Sequence, residues 1–193
     1  MKIRPRLHGQ WSHMIEMKLA RAVAVFSLLV VAQSGGGQPV RGDRSRVYKS
    51  PDLTMRAVVV TGATGESQVN IQAIPGRVLF SRDERSGDGS HGHGIVHAAW
   101  TSDSQFFVAS TSASGGHQPW ARPLWVYSRS LNRVFELWRL GVSAAAAFKL
   151  NPPDIVHTTV LGCDSENAPR PIAFSLHQLA LTGRIPAAPC PSQ

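Results

Sequence analysis

The chain has 193 residues, of which 17% are charged, and its 20 Lys and Arg against 12 Asp and Glu give a net charge of +8. Its 17 Gly and 13 Pro suit a chain that turns often and argue against long helices. The basic residues form no stripe interleaved with stacking aromatics, which excludes nucleic acid as the expected partner.

In chain order, the first predicted element is an export signal. From Met17, Lys18 and Arg21 form a basic region, Ala22 to Ala32 an apolar stretch too short to span a bilayer, and Ala32 with Ser34 the small-residue pattern of a cleavage site. Residues 1–34 therefore read as an N-terminal extension and signal peptide, 35–45 as a flexible leader, and 46–193 as a single domain. Five of the basic residues and one acidic residue lie ahead of Gly35, so processing halves the net charge. The membrane is involved only through the signal segment, and the expected location is secreted or periplasmic.

Three turn signatures then open strand-rich stretches. Ser50-Pro51-Asp52, Thr101-Ser102-Asp103 and Pro152-Pro153-Asp154 place their Asp residues at equal intervals of 51. An Asp side chain accepts from backbone amides two residues on, so each reads as a turn between strands. Downstream, Gly76-Arg77-Val78, Asn132-Arg133-Val134 and Gly183-Arg184-Ile185 supply residues that tolerate positive φ in a hairpin. The strands expected in the first unit are 46–48, 56–60, 69–74 and 77–80, with apolar and polar residues alternating. Those of the second are 95–100, 105–109, 124–127 and 133–137. Those of the third are 148–150, 155–160 and 172–176, with Pro186 cutting short any strand after Gly183. The one helical candidate runs from Leu140 to Leu150 and is confined by Gly141 and Asn151-Pro152.

The strand, the aromatic-Thr-x-Asp turn of Trp100-Thr101-Ser102-Asp103, the further strands and the hairpin together resemble a blade of WD-like or TolB-type β-propellers. The Gly that usually follows the turn Asp is replaced here by Leu53, Ser104 and Ile155, and three units are fewer than the four or more blades that close a propeller. The expected fold is all-β, with three tandem antiparallel β-meander, blade-like repeats in an open propeller-like or sandwich arrangement and at most one short helix.

Candidate chemistry is sparse. Val58 to Gly65 resembles a dinucleotide-binding turn, but Gln68 stands where a third Gly is needed and alternating strand follows, so it reads as a hairpin loop. No catalytic constellation is discernible: the surroundings of Ser90 break the nucleophile-elbow pattern at Asp88. His91, His93 and His97 form a His-rich loop whose imidazoles suit a transition metal. Cys163 and Cys190 are an even pair that an oxidising compartment would bridge. In the long loop of the second unit, His117, Trp120, Arg122, Trp125 and Tyr127 combine contact area with polar handles. The function expected is thus an exported, non-catalytic binding protein with no cofactor, meeting a protein or envelope component through this aromatic loop. The alternative is a metal-dependent protein or enzyme using the loop at 91–97.

Overall fold

The structure is a computed structural model that describes residues 43–116, 122–140, 142, 148–161 and 169–186. The signal peptide, most of the leader and the Cys163 and Cys190 pair lie outside these residues. The described chain is all-β apart from a short helix and one 3-10 turn, and its strands form three antiparallel sheets, none closed into a barrel. Among the described residues no helix is long and apolar enough to cross a membrane.

The first sheet is a meander of β1 (Arg44–Lys49), β2 (Met55–Thr61), β3 (Ser67–Ala73) and β4 (Arg77–Asp83). β1 starts inside the expected leader: Arg44 and Ser45 pair with Thr61 and Val60. The second sheet repeats the plan with β5 (His93–Trp100), β6 (Phe106–Ala113), β7 (Leu124–Ser128) and β8 (Arg133–Glu136), followed by a 3-10 turn at Leu137–Leu140. The third has only β9 (Lys149–Asn151), β10 (Ile155–Val160) and β11 (Arg170–Ser175), and ends in helix α1 (Leu176–Thr182).

Period-two alternation explains how the sheets stack. In β2, Met55, Ala57 and Val59 are buried, and they join Val69 and Ile71 against Trp100, Phe107, Ala109, Trp125 and Tyr127 of the second sheet. The intervening residues Phe106, Val108, Leu124 and Val126 face the other way, onto Phe148 and onto Val156, Val160 and Phe174 of the third. The middle sheet is therefore buried on both faces, which is why β6 is apolar or small at nearly every position. The outer face of the first sheet is instead mixed, with exposed Val47 and Val78 beside polar residues, among them Arg56, whose Nε donates to Gln72.

The two Asp turns are built alike. Ser50 Oγ donates to Asp52 (2.6 Å) and accepts from Met55 N–H, while Asp52 accepts from Thr54 N–H. Thr101 Oγ1 does the same with Asp103 (2.5 Å) and Phe106, and Asp103 accepts from Gln105 N–H. Leu53 (φ 58°) and Ser104 (φ 63°) occupy the left-handed position where Gly is usual. Each turn also reaches the next sheet: Asp52 N–H donates to Ser104 Oγ, and Ser102 Oγ donates to Pro153 O.

The third turn departs from this plan. Asn151 pairs directly with Ile155, so Pro152-Pro153-Asp154 is a tighter turn and Ile155 is strand rather than left-handed. Buried Asp154 accepts instead from Ser175 Oγ, His177 N–H and the His177 ring. Gly183 also differs from expectation. At φ 67° it caps α1, its N–H donating to Leu179 O, where a hairpin was expected. Ser175 caps the other end by accepting from Gln178 N–H, so α1 replaces a fourth strand and buries Leu176 and Leu179 in the core. Of the helical candidate at Leu140–Leu150, the described part is the end of the 3-10 turn, buried Val142 and Phe148, and β9; residues 143–147 lie outside the described set.

Candidate functional site

Strands β4 and β8 each form one edge of the first two sheets, and they are joined by an ion pair. Arg82 Nη1 meets Glu136 Oε1 at 2.8 Å, its Nε donates to Glu84, and its guanidinium lies 5.5 Å over the Trp125 ring. Burial alone would lower the Arg82 pKa, but Glu84 and Glu136 more than offset it and raise it above the ordinary value. Glu136 is shared with Arg139, whose guanidinium covers one face of Trp138 at 4.9 Å.

A hollow opens on either side of this pair. The first, about 330 Å³, is lined by Glu84, His93, Pro123, Trp125 and Trp138 along with Arg82 and Glu136. The second, about 370 Å³, shares Arg82 and Glu136 and adds Phe80, Arg133, Phe135 and Arg139. Trp138 is 50% exposed, a large aromatic held at the mouth by the 3-10 turn. Trp125 is 2% exposed, and its indole N–H is buried with no hydrogen-bond partner. A buried donor left unpaired costs about 1 to 3 kcal/mol.

The residues singled out from sequence fall in different places. His117 and Trp120 lie outside the described residues. Arg122 is half-buried beside Pro123, which lines the first hollow. Trp125 is a wall of that hollow rather than a surface platform. Tyr127 is fully buried between the first two sheets, its hydroxyl donating to Asn132 and its pKa raised by burial, so it offers no surface to a partner. Trp138, Arg82 and Glu136 were not foreseen. The signal that marks Trp138 is a bulky aromatic just past the alternating run of β8.

The three loop histidines do not converge. His91 pairs with Asp88 and Ser90 on the surface, His93 lines the first hollow, and the His97 ring packs edge-on against Phe148 at 4.5 Å. Among the described residues, no three His, Cys, Asp or Glu side chains are placed to hold a metal ion. The loop is organised by Glu66, which no motif had marked. This carboxylate is 1% exposed and accepts from Ser86 N–H, Ser86 Oγ, Gly92 N–H and Ser114 Oγ. Burial pushes its pKa up, but the hydrogen bonds from Ser86, Ser114 and Gly92 prevail and hold it at about 2. Gly92 is required there, since a Cβ would sit 2.4 Å from Glu84 O and 2.5 Å from the Glu66 carboxyl carbon.

One further cluster ties the second sheet to the third. His177 Nδ1 lies 3.1 Å from Asp154, its Nε2 lies 3.6 Å from Asp103, and its ring packs edge-on to Phe106. Ser175 Oγ donates to Asp154 rather than to the imidazole, so the set holds no nucleophile activated by a base.

No protein-family model matches the chain, and no curated protein matches it.

Proposed function

We propose that this chain is an exported, non-catalytic binding protein, secreted or periplasmic, made of blade-like sheets of the WD-like and TolB-type kind and recognising a protein or cell-envelope component. The observation that supports it is the cleft between β4 and β8. There a half-exposed Trp138 lines the same hollow as the ion pair that joins two sheets, a concave site that combines aromatic walls with charged groups held in fixed positions. The reading keeps the second unit as the binding unit but moves its centre. Pro123 and Trp125 contribute the wall, and Trp138 with Arg82 and Glu136 contributes the contact surface.

Thermal unfolding of the full chain with fractionated cell-envelope material tests this reading. A partner at 100 times its dissociation constant stabilises the fold by about 2.7 kcal/mol. The expected result is a shift in midpoint with at least one fraction, lost in Trp138→Ala. No shift with any fraction, or one that persists in that variant, sinks the reading.

A further inference from the structure

We infer that the cleft takes a neutral polyhydroxylated ligand, a saccharide of at least two units lying across the Arg82–Glu136 pair. This rests on the binding reading above and narrows it to a ligand class. Three observations carry it.

The first is charge balance. Arg82 is flanked by Glu84 and Glu136, and Glu136 is shared with Arg139, so the charges at the shared pair are already spent on one another, while Arg133 of the second hollow lies over the Phe135 ring. At the shared pair an anionic ligand has to displace a carboxylate from Arg82, and a cationic one has to displace a guanidinium from Glu136. Either exchange leaves a partly buried charge unpaired, which is costly. A hydroxyl is both donor and acceptor. Neighbouring hydroxyls therefore accept from the guanidinium and donate to the spare lone pairs of the carboxylates without parting the ion pair.

The second is the aromatic surface. Trp138 presents a half-exposed indole, with Arg139 over its ring, and its broad face suits the C–H side of a pyranose ring while its edge stays polar. Trp125 lines the same cleft as an apolar wall, with the Arg82 guanidinium over its ring.

The third is the division of the site. The two hollows share Arg82 and Glu136, and each is near the lower end of the size range of small-molecule sites. A ligand of linked, similar units fills both while keeping its polar contacts at the shared pair.

Calorimetric titration of the full chain with neutral chito-, cello- and malto-oligosaccharides provides the test, with a sulfated glycan and inorganic phosphate as anionic probes and polylysine as the cationic one. At least one neutral series is expected to bind. Trp138→Ala and Glu136→Gln should each weaken it by about tenfold or more, and Arg82→Lys, which keeps the charge but loses the fork, should do likewise. His91→Ala should bind as the parent does. Circular dichroism and the unfolding midpoint of each variant establish that it is folded. Absence of binding to every neutral saccharide overturns the inference, as does binding indifferent to Trp138→Ala. A charged probe that binds in a Trp138-dependent way, with no neutral saccharide binding, also overturns it while leaving the binding-protein reading intact. That reading falls only if no envelope fraction stabilises the chain through Trp138.

Discussion

Leu53 is the clearest residue-scale departure from the blade pattern. It holds φ 58° while 64% exposed, so it bears the strain of the left-handed region and buries little in return. That region costs a non-Gly residue about 1 to 2 kcal/mol, and the added flexibility of Gly in the unfolded chain returns about 0.5 to 1 of it. Leu53→Gly should therefore stabilise the protein by about 0.5 kcal/mol, read from chemical denaturation. Gly92 should behave in the opposite way. Adding a methyl there drives it into backbone and into Glu66, so Gly92→Ala should cost about 3 kcal/mol, whereas Gly87→Ala, with nothing near its Cβ, should change stability by less than about 0.5. Glu66 itself fixes a pH dependence. Its folded pKa of about 2 lies below the ordinary 4.5, so its contribution is complete above about pH 4.5 and is lost as pH falls toward 2. Glu66→Gln should lower the unfolding midpoint at neutral pH and flatten the change in stability across that interval; an unaltered acid profile would contradict the role given to Glu66.

At the scale of elements, local turn chemistry was legible and its context was not. Ser50-x-Asp52 and Thr101-x-Asp103 close their turns with bonds no more than five residues apart, so a short sequence window contains the whole device. Pro152-Pro153-Asp154 has the same Asp spacing, but Asp154 spends its acceptors on Ser175 and His177, more than twenty residues away, and its carboxyl is held below the ordinary range. Burial opposes that shift, but the His177 and Ser175 hydrogen bonds prevail. No periodicity announces such a switch. Gly183 is ambiguous for a related reason: the left-handed conformation serves a hairpin and a helix C-cap equally. Because α1 is only seven residues long, its caps matter. Gly183→Ala should cost about 1 kcal/mol. Ser175→Ala should cost about 1 to 2, since both the cap and the donor to Asp154 are lost. Helical signal by circular dichroism, followed through unfolding, checks both.

For the whole molecule, the alternation in β2 and β3 made the all-β fold and the strand positions readable, because a single buried face writes itself into the sequence at period two. The stacking of three sheets was less visible: β6 and β7 are buried on both faces and lose that alternation. The candidate site was the least legible part. Arg82 and Glu136 are 54 residues apart, and only the packing of the first sheet on the second brings their side chains together. Trp125 and Tyr127, which looked like contact residues in a linear reading, instead form the core that positions this edge. The central claim is that these two sheets together present one recognition cleft. Hydrogen–deuterium exchange of the full chain, with and without a stabilising envelope fraction, tests it most directly. The predicted result is new protection confined to 82–84, 122–125 and 133–140. Protection appearing instead in the loop at 86–92 or on the outer face of the first sheet, with the cleft unchanged, would contradict it.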